Sequence, residues 1–384
     1  MKTDAEFDII VYGASGFTGR LVAEYLAKTY GVGGTVKWAM AGRSAAKLAQ
    51  VRDEIGAPKD TPLVVADAAD AASLAAMVGR AKAVLTTVGP YQLYGGDLVA
   101  ECVKQGVDYL DLCGEPNWMA EMIGAHDAAA KASGARILFS CGFDSIPFEL
   151  GVFHVEALAK AKLGHPVARV KGRVRAMKGG LSGGTAASGR ATMAAIQANP
   201  ALLGLMVSPF ALTPGFTGPE QPRGDKREFD ADVGSEVGPF MMAMINTKNV
   251  HRSNLLQGHP YGKDFVYDEM SIVLPGAPTE FTEMPAEGGP QPGEGPSLEE
   301  RETGFYDLLF VGIDADGRQV RGSVHGDKDP GYGSTSKMIA ETAVAIVNAP
   351  GVAGGVWTPG AALGQALVDR LQAKAGLTFK DETT

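Results

Sequence analysis

The fold is decided by the stretch Gly13-Ala14-Ser15-Gly16-Phe17-Thr18-Gly19, which joins two predicted elements near the start of the chain. Residues 7–13 are mostly apolar and predict a buried strand, and residues 18–30 predict a helix. Glycines allow the backbone to approach a pyrophosphate closely. The first turn of a helix adds unpaired N–H groups and the positive end of its dipole. The spacing G-x-x-G-x-x-G in this context therefore predicts a dinucleotide-binding turn, with a tight turn that binds no ligand as the alternative.

The end of the second predicted strand, residues 36–41, indicates which dinucleotide is bound. An acidic residue at this position would bind the ribose 2′-OH of NAD, but the sequence has Arg43 and Ser44. The planar guanidinium of Arg43 matches a phosphate, and Lys47 lies one helical turn beyond Ser44. We therefore expect NADP rather than NAD. Asp67 ends the third strand and either approaches the adenine or caps a helix.

The end of the fourth predicted strand is a further candidate contact with the cofactor. It reads Val88-Gly89-Pro90-Tyr91, and ligands of open α/β sheets lie beyond the carboxyl ends of the strands. A glycine there lets the chain pass the cofactor closely. Tyr91, like Tyr94, is a candidate proton donor or nicotinamide-ribose contact, with aromatic packing in the loop as the alternative.

Three polar residues follow the fifth and sixth predicted strands and complete the catalytic candidates. They are Glu115, Asp144 and Ser145, and they lie at the same sheet edge as the predicted cofactor. A carboxylate at this edge can position a substrate or exchange a proton. The alternatives are structural, since Glu115 can brace its loop and the other two can cap the next helix.

The order of the predicted elements gives the fold class. Strands and helices alternate over residues 1–150, which predicts a doubly wound parallel sheet of the Rossmann type. Residues 151–330 predict a second, mixed α/β domain for substrate binding and dimerisation, with a hairpin around Asp316-Gly317. Within it, residues 275–303 predict a loop or linker. Residues 331–384 predict C-terminal helices that pack back on the first domain.

Composition excludes several classes of function and indicates a compartment. The chain has 384 residues, of which 51 are glycine, and its net charge is −9, which argues against a nucleic-acid partner. Its 3 cysteines form no C-x-x-C pair, so neither a disulfide framework nor a metal site is expected. Acidic residues near the start leave no room for a signal peptide, and a cytoplasmic location is expected.

An uncharged stretch between Arg190 and Glu220 has several interpretations. Its apolar part, residues 201–212, is too short and too interrupted by proline to predict a membrane-spanning helix. Together with nearby methionines it predicts an acyl-binding wall or a peripheral membrane contact. A dimer interface or ordinary core is the alternative, and we expect a homodimer.

A second glycine-rich motif suggests a different class of enzyme. Gly180-Leu181-Ser182-Gly183-Gly184 matches the G-x-S-x-G turn of serine hydrolases, and His251, His259 and His325 follow downstream. No acid–histidine pairing is recognisable in the sequence. A glycine-rich helix start that faces the substrate cleft is the favoured interpretation.

Taken together, these motifs resemble those of the saccharopine dehydrogenase-like oxidoreductases, in particular the branch of trans-acting enoyl reductases. The resemblance covers nearly the whole chain. Its further marks are Tyr109–Glu115, Cys141–Pro147, Ser182–Thr185, Asp329–Gly333 and Gly354–Pro359. It implies an NADP-dependent oxidoreductase that reduces a C=C, C=N or C=O bond of a small-molecule, acyl or lipid-linked substrate. A non-catalytic NADP-binding protein associated with lipid is the alternative.

Overall fold

The computed structural model describes residues 4–180, 182–273 and 293–384. Within these ranges the chain forms two seven-stranded sheets with helices packed against them. This confirms the predicted class, a doubly wound α/β sheet accompanied by a second mixed α/β unit.

The first sheet is parallel throughout, with the strand order β13-β6-β5-β4-β1-β2-β3. Successive residues of its central strand point into different cores. Ile9 and Val11 belong to one buried cluster, and Ile10 and Tyr12 belong to the other. A parallel sheet covered on both faces requires such strands. The strands are β1 (Phe7–Tyr12), β2 (Trp38–Gly42), β3 (Leu63–Val65), β4 (Ala81–Thr86), β5 (Asp108–Leu110), β6 (Arg136–Leu138) and β13 (Gly355–Trp357).

Helices connect these strands and place the carboxyl ends of the strands at one edge. This edge carries the glycine-rich turn and the ends of β2, β4, β5 and β6, and we call it the cofactor edge. The connecting helices are α1 (Phe17–Tyr30), α2 (Ala45–Glu54), α3 (Ala71–Val78), α4 (Tyr91–Tyr94), α5 (Gly96–Gln105) and α6 (Pro116–Ser133), and α7 (Ile146–Leu163) leads from β6 to the second sheet.

The second sheet is mixed, with the order β14-β12-β11-β7-β10-β9-β8. Only β7 and β10 pair in parallel among its described strands. The predicted hairpin around Asp316-Gly317 is present between β11 and β12. The strands are β7 (Arg169–Lys178), β8 (Glu228–Asp230), β9 (Ser235–Pro239), β10 (Val266–Ile272), β11 (Phe305–Ile313), β12 (Gln319–Gly326) and β14 (Leu377–Asp381).

The remaining helices tie the two sheets together. They are α8 (Gly183–Ala198), α9 (Leu202–Val207), α10 (Ala243–Leu256), α11 (Leu298–Thr303), α12 (Thr335–Val347) and α13 (Pro359–Lys374), with a π-helical turn at Pro330–Ser334. The buried carboxylate of Glu341 on α12 accepts hydrogen bonds from Tyr25 and Tyr30 on α1 and from Arg370 on α13. The C-terminal part of the chain thus packs on α1 and also adds β13 to the first sheet and β14 to the second.

The predicted loop over residues 275–303 needs one correction. Most of it lies outside the described residues, but its end forms α11. The Ser297 hydroxyl accepts the Glu300 N–H, while the Glu300 carboxylate accepts the Ser297 N–H, which is a complete capping box. The Ser-x-x-Glu spacing was the available signal for this helix start.

The uncharged stretch between Arg190 and Glu220 divides between core and surface. Met206 and Leu212 are buried, whereas Leu203 and Val207 are exposed. None of the described helices combines the length and the apolarity needed to cross a bilayer. Membrane contact through residues 201–212 and homodimerisation stay predictions.

Candidate functional site

The three glycines of the turn after β1 serve three different purposes. Gly13 has a φ of +89°, which L side chains rarely adopt, and a Cβ there would lie 2.8 Å from Thr87 Oγ1. A Cβ at Gly19 would overlap the carbonyl oxygen of Gly13, so Gly19 is needed for close packing of α1 on the turn. Gly16 has a negative φ, and the nearest atom to its Cβ position is Gly13 O at 3.3 Å. The fold therefore demands glycine least at Gly16, where the backbone would approach a ligand.

The turn leaves the first N–H groups of α1 directed at the cofactor edge. Gly16 is the N-cap residue and makes no side-chain cap. The predicted contact residues Ala14, Ser15, Phe17 and Thr18 all lie in this turn or in the first residues of α1. Such a helix start, with free N–H groups and a positive dipole end, fits a pyrophosphate.

The second anion-binding feature lies at the start of α2. Ser44 caps this helix by accepting the Lys47 N–H. The side chains of Arg43 and Lys47 are exposed and take part in no ion pair or hydrogen bond within the described residues. Two free cations beside a helix N-terminus fit the 2′-phosphate of NADP.

Asp67 lies near this feature but does not cap the following helix. Its carboxylate accepts the Ala69 N–H, and Asp70 provides the cap of α3. Asp67 and Arg43 act in opposite directions on the Tyr12 phenol, whose pKa burial raises to about 12. These three side chains therefore surround the place predicted for the adenosine half of the cofactor.

The segment after β4 approaches the glycine-rich turn, and the Tyr91 side chain is buried beside the ends of β4 and β5. Val88 and Thr87 border Gly13, and a Cβ at Gly89 would have ordinary contacts with Tyr91. The Tyr91 phenol is buried; it stacks on Trp118 and accepts the Leu112 N–H at 3.1 Å. Burial raises the pKa of Tyr91 well above its usual value. These contacts agree with the alternative role, aromatic packing in the loop, and proton donation by Tyr91 stays a prediction.

The Glu115 carboxylate is engaged in hydrogen bonds that hold the surrounding loops. Its carboxylate accepts the backbone N–H groups of Tyr91 and Gln92 at 3.0 and 2.8 Å, which caps α4. It also accepts the Ser188 hydroxyl of α8 at 2.9 Å. With three donors bound and 1% of its surface exposed, Glu115 braces the loops at the cofactor edge and is not placed to exchange a proton.

Asp144 differs from Glu115 in lacking a partner. Its side chain is half-buried, and no described residue forms a hydrogen bond or ion pair with it. A Cβ at Gly114 would lie 3.5 Å from Asp144 Oδ2, so the carboxyl faces the backbone that follows β5. Loss of hydration on burial raises the pKa of Asp144 to about 7. A carboxyl group of this kind can hold a proton near neutral pH.

Ser145 is fully buried and its hydroxyl is bonded to two amide side chains of α10. It donates to Asn246 Oδ1 at 3.2 Å and accepts from Asn249 Nδ2 at 2.7 Å, both on α10. Its side chain does not cap α7. The expectation that Ser145 caps the helix is therefore wrong, and its direct part in catalysis stays a prediction.

Helix α8 crosses the cofactor edge and closes it from the side of the second sheet. Besides the Ser188–Glu115 bond, Gln92 Nε2 donates to Thr192 Oγ1 at 3.2 Å. The residues of α8 that meet the edge are Thr185, Ser188 and Thr192, which lie on one helical face. A substrate that reaches the cofactor edge would therefore lie beside α8.

Tyr332 was missed by the sequence analysis as a site residue. Its phenolic oxygen accepts the Ser182 N–H at 2.6 Å and is 2.9 Å from Thr185 Oγ1. Its ring meets Phe17 edge to face, with 5.2 Å between the centroids. Burial raises its pKa, and the charge of Asp144 raises it further. Its place in Asp329–Gly333 was the available signal, but its partners lie about 150 residues away.

The residues of the possible hydrolase motif do not form a catalytic triad. The Ser182 hydroxyl accepts the Thr185 N–H as the cap of α8, and no hydrogen bond joins it to a described histidine. His251 packs against Phe210 and Phe265, and its pKa is lowered by burial to about 3. The motif instead forms the glycine-rich start of α8, beside the cofactor edge.

Comparisons with known proteins agree with this geometry. Residues 9–138 match the model of the saccharopine dehydrogenase NADP-binding domain. A trans-acting enoyl reductase of Mycobacterium tuberculosis (strain H37Rv) is 35% identical over 96% of this chain and 96% of its own length. A trans-acting enoyl reductase of Mycobacterium leprae is 34% identical over 95% of this chain and 96% of its own.

A solved structure shares the whole architecture. Apo saccharopine dehydrogenase (L-Glu forming) of Saccharomyces cerevisiae superposes with a TM-score of 0.54 over 98% of this chain and 99% of that chain. The two sequences are only 11% identical, so this likeness concerns the fold alone.

Proposed function

The chain belongs to the saccharopine dehydrogenase-like oxidoreductases, in the branch of the trans-acting enoyl reductases, and from this premise we propose that it reduces the C=C bond of an α,β-unsaturated acyl substrate. That it is an NADP-dependent oxidoreductase follows from its family. The proposal concerns the bond that is reduced, the substrate class and the residue that supplies the proton.

The chain offers a suitable group for each part of NADPH. The pyrophosphate fits the turn Gly13–Gly19, the 2′-phosphate fits Arg43 and Lys47, and the nicotinamide end fits the backbone from Val88 to Pro90. When bound, NADPH supplies a hydride. The protein then has to orient the acceptor carbon, exclude water and deliver a proton.

The observation that carries the proposal is the Asp144 carboxyl at the cofactor edge. Addition of hydride to the β-carbon of an enoyl group leaves an enolate, and the α-carbon must then take a proton. The Asp144 carboxyl has no competing partner in the described chain, and its pKa of about 7 leaves it about half protonated at pH 7. It gives this proton to the α-carbon, becomes a carboxylate and regains a proton from water when product leaves.

Apolar side chains near α8 support an acyl substrate. Met193 on α8, Leu203 and Val207 on α9, and Met241 and Met244 at the start of α10 are all exposed by 40% or more. The ammonium of Lys248 donates to the carbonyls of Met206 and Met244, which holds α9 against α10. We infer that an acyl chain leads from the cofactor edge along α8 to this apolar surface.

The proposal is tested by following isotopes through the reaction. The purified chain is incubated with an enoyl thioester and NADPH carrying deuterium at the transferred position, and in parallel in D₂O with unlabelled NADPH. We expect deuterium at the β-carbon in the first product and at the α-carbon in the second, as read by mass spectrometry. If NADPH binds but no enoyl thioester is reduced, while imines or ketones are, the assignment to C=C reduction fails.

A further inference from the structure

Residues 143–145, between β6 and α7, form the corner that carries Asp144, and this corner has an unusual backbone. Ser145, the next residue, has a φ of 130°, a value that glycine adopts freely and that is strained for residues with a side chain. Residues are held in such conformations only where their surroundings determine them, and these places concentrate at functional sites. Ser145 makes no contact that a proton transfer would use, so its conformation requires another explanation.

We propose that Ser145, together with Asn246 and Asn249 of α10, is a positioning residue that aims the Asp144 carboxyl at the reacting carbon. The inference rests on the proposed function, in which Asp144 delivers the proton. In this proposal, contacts with α10 set the orientation of the Asp144 carboxyl. Helix α10 belongs to the second half of the chain and lies about 100 residues away in sequence.

The first support is a buried polar network that uses both hydrogen-bonding capacities of the Ser145 hydroxyl. Asn249 Nδ2 donates to Ser145 Oγ, which donates to Asn246 Oδ1. Asn246 Nδ2 in turn donates to Glu269 Oε2 at 2.9 Å, and Tyr267 donates to the other oxygen of Glu269 at 2.8 Å. All of these side chains are at most 1% exposed. The network therefore holds Ser145 from α10 and β10 without help from solvent.

The second support is that the residue before Asp144 is held as well. The Phe143 N–H donates to Thr335 Oγ1 of α12 at 2.9 Å, and the Thr335 hydroxyl donates to the carbonyl of Pro330. The Phe143 ring packs against Tyr306 of β11, with 4.9 Å between the centroids. Asp144 thus lies between two residues fixed by the second half of the chain, while its own carboxyl has no hydrogen-bond partner among the described residues.

The physical reason for such a device is the sensitivity of proton transfer to geometry. A displacement of about 1 Å in a reacting group costs on the order of 10²-fold in rate. A carboxyl without a hydrogen-bond partner cannot be oriented by its own bonds. Its backbone must orient it, and a strained residue anchored at Oγ does so.

A pair of variants separates positioning from stability. Ser145→Ala removes the hydroxyl and keeps the Cβ that opposes the positive φ, so we expect both Tm and kcat to fall. Ser145→Gly removes the hydroxyl and also the strain, so Tm returns toward the wild-type value, while kcat stays at least about tenfold low. The KM for NADPH stays unchanged in both. If kcat recovers together with Tm in Ser145→Gly, or does not fall in Ser145→Ala, positioning is refuted.

A matched control and a double mutant isolate Asp144. His259 also has a positive φ, 64°, and lies outside the site, so His259→Gly should leave kcat unchanged. In the Asp144→Asn background we expect Ser145→Gly to have no further effect on kcat. An additional fall of similar size there would refute positioning while leaving the proton-donor role intact. Full activity of Asp144→Asn alone would instead refute the proposed function.

Discussion

The two halves of the candidate site are built in different ways. The cofactor half, with the glycine-rich turn and the start of α2, lies within residues 13–47 and uses backbone N–H groups, glycines and two free cations. The catalytic half joins Asp144 with residues of α10 and α12, which lie about 100 and 190 residues further along the chain. The proposed cofactor contacts are thus local in sequence, whereas placement of the proposed proton donor depends on tertiary contacts.

The strongest test of this contrast removes the acid and leaves the cofactor half intact. Asp144→Asn keeps the size of the side chain and removes its acidity, so we expect kcat to fall about 10²- to 10⁴-fold. The Kd for NADPH, measured by fluorescence titration, should stay unchanged. A parallel loss of NADPH affinity would show that the two halves are not separable.

The pH dependence sharpens this test. Because the protonated carboxyl is the active form and its pKa is about 7, wild-type kcat should be constant below this value. Above it, kcat should fall by about tenfold per pH unit. The pKa values of the neighbouring Tyr332 and Cys113 are raised, so neither group ionises in this range. Buried Asp111 also has a pKa of about 7, so loss of the alkaline limb in Asp144→Asn is needed to assign it.

The next test acts on the cofactor half alone. Arg43→Ala removes a charge-assisted contact with the 2′-phosphate, which is worth about 1.5–3 kcal/mol, or roughly 10- to 150-fold in affinity. We expect this loss for NADPH and little change for NADH, which lacks the phosphate. Calorimetric titration with both cofactors checks the result. An equal loss of affinity for NADPH and NADH would mean that Arg43 does not bind the 2′-phosphate.

A pair of glycine variants tests the separate purposes of the turn. In Gly19→Ala the new methyl group overlaps the Gly13 carbonyl, so we expect the free energy of unfolding to fall by about 1–3 kcal/mol. In Gly16→Ala the methyl group meets Gly13 O at 3.3 Å, so stability should change less while NADPH affinity falls. Thermal unfolding with and without NADPH distinguishes the two. The same stability loss in both variants would contradict the distinction.

The smallest effect on activity is expected at Tyr91. Tyr91→Phe leaves the Leu112 N–H without its acceptor and lowers stability by about 1–3 kcal/mol. Because the hydroxyl is buried and bonded to the backbone at the ends of β4 and β5, kcat should stay close to that of the wild type. A loss of kcat as large as that of Asp144→Asn would restore Tyr91 as a proton donor.

Sequence reasoning succeeded where one segment contains the whole signal. The glycine-rich turn, the hairpin between β11 and β12 and the alternation of strands and helices each depend on neighbours within a few residues. Helix α10 was not predicted, and its composition explains why. Its buried residues include Asn246, Lys248, Asn249 and His251, so the apolar periodicity that marks an amphipathic helix is missing.

The catalytic candidates show the limit most clearly. Glu115 and Asp144 are both acidic residues that follow a strand of the same sheet, and the sequence offers no means of telling them apart. In the structure, the Glu115 carboxylate accepts hydrogen bonds from two backbone N–H groups and from the Ser188 hydroxyl, whereas Asp144 has no partner in the described residues. Ser188 comes from α8, so the distinction arises from packing between distant segments.

The sequence by itself determined the fold class, the position of the glycine-rich turn between β1 and α1 and the preference for NADP. These depend on backbone conformations, helix starts and charges that a few adjacent residues impose on one another. Only the tertiary structure decided which acid lacks a partner among the described residues, that Tyr91 is buried, and that Tyr332 and α10 border the segment that carries Asp144. The reason is that hydration and hydrogen-bond partners set the pKa and the orientation of a side chain, and both are supplied by parts of the chain that meet only on folding.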